Sequence, residues 1–313
     1  MAIFLDETQV GDLLDMPSCI GVLEDAFREK ADGFAAIQPR RRLPFQGRRF
    51  HLMAASMTRK GYLGFKAYGA AKGQDVVLYK EGEGIVAFLR SGKLGQVRTG
   101  AASGLATKFM ARANASRLGC FGTGHQAETQ ILAIAQVRKL DSIHVYSRDP
   151  QRRQAFAERM SGLLELEVRP VDSPVEAVAG RDIVVTITNS SLPVFDGRLL
   201  EPGTHVNAAG GNVRIQRELD EVAVTRAGTI ATDDVEGAKL ESGDLNWPVE
   251  MGLMSWDKVG ELGPIVAGRM PGRRSEDEIT LFESQGIALE DVAAASLVYE
   301  RAREKGIGIP LPF

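Results

Sequence analysis

Residues 118–150 read LGCFGTGHQAETQILAIAQVRKLDSIHVYSRDP, and this stretch decides the fold. A short apolar run (Leu118, Cys120, Phe121) enters the turn Gly122-Thr123-Gly124-His125-Gln126-Ala127. The helical segment 128–139 follows, and a second apolar run, 143–146, closes the pattern. Strand, glycine turn, helix and strand in that order form the βαβ unit that holds a dinucleotide pyrophosphate. Gly122 allows the tight turn, Gly124 lets the backbone approach the phosphates, and Ala127 replaces the third glycine where helix and strand pack. The start of the helix then offers free N–H groups and partial positive charge to an anion.

Downstream, residues 151–160 and 174–178 read as helices. Residues 166–168, 182–188, 205–209 and 229–232 read as strands, so the alternation of a doubly wound sheet continues to about residue 235. Residues 236–280 hold Gly, Pro, two Trp and charges, read as short helices around a flexible loop. Residues 280–284 read as a last strand, 286–305 as a final helix and 307–313 as a tail. Upstream, residues 1–35 read as a strand and two amphipathic helices, and Pro39–Pro44 as a break. The segments 49–54, 62–68, 76–79 and 85–89 are short strands of a mainly antiparallel sheet, followed by a helix over 98–113.

The composition is that of a globular chain: 313 residues, 44% apolar and 25% charged. A net charge of −3 and only short basic clusters give no reason to expect nucleic acid or an anionic membrane. No stretch reaches 18 uninterrupted apolar residues, and the acidic start MAIFLDETQV is unlike a signal peptide, so the expected location is cytoplasmic. Cys19 and Cys120 lack metal-ligand or redox spacing and read as buried apolar residues; no metal site is expected.

The ligand of an open α/β sheet lies outside the carboxyl ends of its strands. The residues there are Gly122, Thr123, Gly124, His125, Gln126, Ser147, Arg148, Thr186, Thr188, Asn189 and Asp233, together with the Gly210–Asn212 segment. The end of the second strand carries Ser147 and Arg148 where an acid would grip a ribose diol. Serine with arginine suits a 2′-phosphate, which favours NADP(H) over NAD(H). Against this, Asp149 lies one step away and can reach a diol after a loop shift, and Arg148 alone can be a solvated turn residue. A second cluster precedes the nucleotide domain: Arg40, Arg42, His51, Lys66 and Arg98. Lys66 lies within Gly64-Phe-Lys-Ala-Tyr68, among residues that belong to an interior, so its ammonium points to a polar cleft. Such a set clamps a carboxylate.

The sequence resembles the ornithine cyclodeaminase/mu-crystallin family over nearly its whole length. The resemblance rests on Gln38-Pro-Arg40, Phe50-His-Leu-Met53, Gly64-Phe-Lys66, Val97-Arg98-Thr-Gly-Ala-Ala-Ser103, Gly122–Ala127, Gly203–Gly210 and Phe282–Asp291. It implies an α/β fold: a Rossmann doubly wound domain, residues 115–291, plus a split α+β domain for substrate binding and dimerisation, residues 1–114 and 292–313. It also implies a homodimer, and a carboxylate held by Arg40, Lys66 and Arg98, with Lys66 serving in proton transfer. Two positions depart from the cyclodeaminase pattern. Asn212 stands where that enzyme has a catalytic aspartate; an amide cannot take a proton but can hydrogen-bond an imine or amine nitrogen. His51 replaces an acidic residue, and suits a second carboxylate better than a cationic side chain. The expected activity is therefore reduction of a small, anionic 2-imino acid by NAD(P)H, with Lys66, Asn212 and Arg98 catalytic. Iminosuccinate and a cyclic ketimine such as pyrroline-2-carboxylate are the candidate substrates. The alternatives are a lyase of the cyclodeaminase type and a non-catalytic binding protein of the crystallin type.

Overall fold

The computed structural model describes residues 1–69 and 73–312. Their contacts divide the chain into two compact units, Met1–Ala101 with Gly286–Phe313, and Ala102–Gln285. The joints read from the sequence lie at 114/115 and 291/292. The division instead falls within one unbroken helix and just after a strand.

The first unit begins with β1 (Ile3–Leu5), α1 (Glu7–Leu13) and α2 (Met16–Ala31). Next come β2 (Ala35–Phe45), β3 (Arg48–Met57), β4 (Tyr62–Tyr68), β5 (Gln74–Lys80), β6 (Gly84–Arg90) and α3 (Gly92–Met110). Both early helices start on an aspartate. Asp6 accepts the Gln9 amide at 2.9 Å while the Gln9 side chain accepts the Asp6 amide at 3.1 Å, and Asp15 accepts the Ser18 amide at 2.9 Å. The sequence read a break at Pro39–Pro44, yet β2 runs through both prolines. It is the edge strand of its sheet and shifts register between Gln38 and Arg41. An edge strand with a bulge can lose two N–H donors without breaking the ladder. Helix α3 begins at Gly92, six residues before the expected Arg98. Its first amides, Gly92 and Lys93, each donate to the Glu7 carboxylate at 2.8 Å, a cap supplied from a distant part of the sequence.

The second unit runs β7 (Arg117–Phe121), α4 (His125–Val137), β8 (Ser142–Tyr146), α5 (Pro150–Leu164), β9 (Val168–Pro170), α6 (Pro174–Val178), β10 (Ile183–Thr186) and β11 (His205–Ala208). It continues with α7 (Glu221–Arg226), β12 (Thr229–Thr232), α8 (Val235–Glu241), α9 (Gly243–Glu250), β13 (Val259–Glu261), α10 (Leu262–Val266) and β14 (Thr280–Glu283). Eight parallel strands stand in the order β13-β12-β14-β11-β10-β7-β8-β9. Successive β10 residues serve opposite faces: Val184 packs with Phe121, Val206, Ile230 and Leu281, whereas Ile183 and Val185 pack with Ile131, Ile134 and Phe156. Two buried faces require a nearly continuous apolar strand, which is why Ile183–Thr186 reads so plainly. The segment 236–280 holds α8, α9, α10 and β13, the last an edge strand too short and glycine-bearing to register by periodicity.

The chain then returns to the first unit through α11 (Ala288–Lys305) and β15 (Ile309–Pro310). The sheet order here is β15-β1-β6-β5-β4-β3-β2, antiparallel except between β1 and β6. Helix α11 packs on β2 to β6 and on α2. A Cβ on Gly64 would lie 2.8 Å from the Val77 carbonyl and 3.1 Å from Val292, so glycine lets the helix approach β4 closely. The expected tail thus contains a strand, β15, paired with β1; Phe313 lies outside the described residues.

Candidate active site

In the first unit, β4 carries Lys66 between Met53 of β3 and Val76 of β5. Its side chain is only 3% exposed, and Nζ donates to Oδ1 of Asp291 at 3.0 Å. Arg98 on α3 approaches the same carboxylate, Nε to Asp291 Oδ1 at 3.1 Å, and sends Nη1 to Glu290 Oε2 at 2.8 Å. Both acids lie in the first turn of α11 and are fully buried. Arg40, also buried, donates Nη2 to the Gly286 carbonyl at 2.9 Å. Gly286 has φ +70°, and a Cβ there would meet Arg98 Nη1 at 2.6 Å, so glycine is required on both counts. The structure therefore brings Arg40, Lys66 and Arg98 together.

Burial works against the ammonium of Lys66 and lowers its pKa; Arg98 and Arg40 push the same way, while Asp291 opposes them. Burial also disfavours charge on Arg98, but Asp291 and Glu290 outweigh it and hold the guanidinium firmly protonated. For Asp291, the two neighbouring cations outweigh burial and keep its pKa below the usual value. Three basic side chains and two carboxylates are thus withdrawn from water together. Such a cluster accepts one anionic group readily. The second oxygen of Asp291 is buried and has no hydrogen-bond partner among the described residues, leaving an acceptor for a ligand N–H.

His51 stands opposite Arg42 on β2 and Tyr68 on β4. Its ring stacks on Tyr68 with centroids 4.4 Å apart, and Lys66 Nζ lies 5.7 Å from the centre of the same tyrosine ring. Burial, then Arg42, Arg40 and Arg49, depress the His51 pKa to about 4. The imidazole is consequently neutral near pH 7, a hydrogen-bonding wall and not a cation.

In the second unit, the strand order turns back at β7, which has β8 on one side and β10 on the other. This is the topological switch point where dinucleotides lie. Gly122 has φ +118°, and a Cβ there would meet the Ile187 carbonyl at 2.3 Å. Gly124 is the N-cap of α4, with no side chain capping the first turn and open space where its Cβ would point. The buried Oε1 of Gln126 has no hydrogen-bond partner among the described residues. An open cradle at an uncapped helix start fits a pyrophosphate.

At the end of β8, Ser147 Oγ accepts from Thr123 Oγ1 at 3.0 Å, and Arg148 is exposed. Asp149 is committed elsewhere: its Oδ1 caps α5 by accepting from Gln151 at 3.0 Å and Arg152 at 3.1 Å. Thr186 is buried at the end of β10, while Thr188 follows it and Asn189 is exposed. His125 and Asn212 are exposed, on α4 and in the loop after β11. Asp233 is fully buried. Its Oδ1 takes Asp234 N at 3.0 Å and its Oδ2 takes Gln285 N at 2.9 Å, so it fastens the loops after β12 and β14.

Sequence reasoning missed Glu290 and Asp291, because acids in a first helical turn are ordinary complements to the helix dipole. The signal was available: residues 286–299 are almost entirely small or apolar, so this helix is buried all round and its charges need partners.

The profile of the Ornithine cyclodeaminase/mu-crystallin family matches residues 2–306. The chain belongs to that family. Delta(1)-pyrroline-2-carboxylate reductase of Bacillus cereus is 38% identical over 229 residues, 73% of this chain and 70% of that one. The Thermococcus litoralis Delta(1)-pyrroline-2-carboxylate reductase, solved with NADH and L-proline, superposes with a TM-score of 0.93 at 32% identity, covering 99% and 100% of the two chains. An archaeal alanine dehydrogenase dimer with bound NAD gives a TM-score of 0.93 at 30% identity, covering 100% and 99%. Members with bound cofactor thus share the doubly wound unit and the unit built around β4 and α11.

Proposed function

We propose that the protein is an NAD(P)H-dependent reductase that converts a small 2-imino acid into the amino acid. A cyclic ketimine such as pyrroline-2-carboxylate is the first candidate and iminosuccinate the second. The observation that carries this reading is the buried cluster on Lys66, where Arg40, Lys66 and Arg98 gather basic side chains of the kind that receive a carboxylate. The neutral His51, stacked flat on Tyr68, suits a ring better than a second carboxylate, and this ranks the cyclic substrate first.

When bound, the reduced nicotinamide supplies a hydride to the imine carbon. The chain supplies the rest. Arg40 and Arg98 hold the carboxylate, and Lys66 Nζ carries the proton that the imine nitrogen takes up. Its lowered pKa eases that transfer, because a buried ammonium beside two guanidinium groups gives up charge readily. A water hydrogen-bonded to Asn212 is a second source of that proton. For the cofactor, Ser147 and exposed Arg148 at the end of β8, with Asp149 occupied as a helix cap, support NADP(H) over NAD(H). Exposed Leu43 and Phe45 on the edge strand β2 support a homodimer of this unit.

The test offers pyrroline-2-carboxylate, 2-oxo acids with ammonia, and ornithine, while NADH and NADPH oxidation are followed side by side. Oxidation with pyrroline-2-carboxylate is the expected result. Ammonia release from ornithine without net change in nicotinamide would replace the reductase by a lyase. Cofactor binding without turnover on any substrate would replace it by a binding protein.

A further inference from the structure

The loops after β10 and β11 lie at the ends of strands beside the switch point, and their sheet-type hydrogen bonds include those of Ile187 to Phe121 and Ala209 to Thr186, both at 2.9 Å. Both are fastened to one buried side chain outside the glycine turn. Glu218, fully buried, accepts the Thr188 amide on Oε1 at 2.5 Å and the Gly210 amide on Oε2 at 2.8 Å. A Cβ on Gly210 would come within 2.5 Å of that same Oε2, so the fit between loop and carboxylate leaves no slack. Glu218 is itself anchored: its own amide and that of Leu219 both donate to Oδ1 of buried Asp244 at 2.8 Å.

We infer that Glu218 is a positioning residue for the cofactor, a carboxylate clamp that fixes the Thr188 and Gly210 loops in the conformation that receives the dinucleotide. This inference rests on the dinucleotide reading of the second unit. The clamp needs two acceptors aimed at two N–H donors, which only a carboxylate provides. A glutamine fills the same volume but turns one acceptor into a donor. One loop amide then faces an N–H group at hydrogen-bond distance and is driven off.

Glu218→Gln is therefore the discriminating variant, because a packing role survives it and a clamping role does not. The measurement is nicotinamide fluorescence titration with NADPH and NADH, alongside circular dichroism. A folded Glu218→Gln protein is expected to bind its dinucleotide about tenfold more weakly. Amide exchange at Thr188 and Gly210 is expected to quicken in the variant while the strands stay protected. Equal affinity in a folded variant overturns the inference. If the variant does not fold, exchange in the unaltered protein decides: slow exchange at both amides supports the clamp, and rates like those of exposed loops overturn it. Should the unaltered protein bind no dinucleotide at all, the parent reading fails, while the exchange result still judges the clamp by itself.

Discussion

The two candidate ligand-binding regions are built on opposite plans. The region around Lys66 consists of charged side chains withdrawn from water and balanced against one another, with Glu290 and Asp291 answering Arg98 and Lys66. The region around Gly122 and Gly124 has almost no side chain, and offers an open helix start and a backbone bent into a conformation closed to other residues. A charge cluster is selective but fragile, since removing one member leaves a buried charge without its counter-ion. A backbone cradle is general, since any pyrophosphate finds the same amides. On the proposed function, the first plan recognises the molecule to be changed, and the second the reagent that changes it.

The sharpest way to break this contrast is Lys66→Met. Turnover is expected to fall about 10²- to 10⁴-fold, the range for loss of a general acid, with dinucleotide affinity unaltered in a fluorescence titration. A parallel loss of affinity would mean that the two regions are not separable. Arg98→Met strands Glu290 and Asp291 without their main counter-ion, and should lower the unfolding free energy in urea by about 3–5 kcal/mol. A loss smaller than that of an ordinary surface change would show that the cluster contributes no cohesion. Arg148→Ala tests the exposed cation at the end of β8: NADPH binding should weaken about tenfold while NADH binding holds, and equal effects on both would dismiss the 2′-phosphate role.

The smallest effect concerns an ion cluster outside both regions. Asp182 accepts from Arg117 Nη2 at 2.9 Å and from Arg112 Nη2 at 2.5 Å, and from the Ser116 and Arg117 amides. Burial would raise its pKa, but these bonds, led by Arg117, bring it down to about 2 from 3.8. A depressed carboxyl stabilises the fold fully above its unfolded value and loses that contribution as pH falls through the folded one. The melting temperatures of the natural protein and of Asp182→Asn should therefore differ by a steady margin from about pH 7 to about pH 5, then converge towards about pH 2. A constant margin at all these pH values would show that Asp182 does not titrate in this way.

The contrast between regions also explains what the sequence disclosed. The cradle is local: strand, turn and helix lie within residues 117–137, so the glycine spacing and apolar runs were enough to read it. The cations of the other region were readable because a lysine amid Phe65 and Ala67 is out of place in a strand. Their counter-ions were not, because Lys66 and Asp291 lie 225 residues apart and nothing in either neighbourhood names the other. Glu218 escaped for the same reason, since its partners Thr188 and Gly210 belong to other loops. Strand β2 was hidden by two prolines that only an edge position tolerates, and β15 by being two residues long.

The return of α11 and β15 to the first unit has a consequence for the newborn chain. Lys66 and Arg98 leave the ribosome early, whereas Glu290 and Asp291 follow only after all of Ala102–Gln285 has been made. At typical synthesis rates that interval is on the order of ten seconds or more. Throughout it the sheet from β2 to β6 stands without the helix that covers it, and two cations destined for burial have no counter-ion. The doubly wound unit, made without interruption, can be complete before the unit begun ahead of it can close.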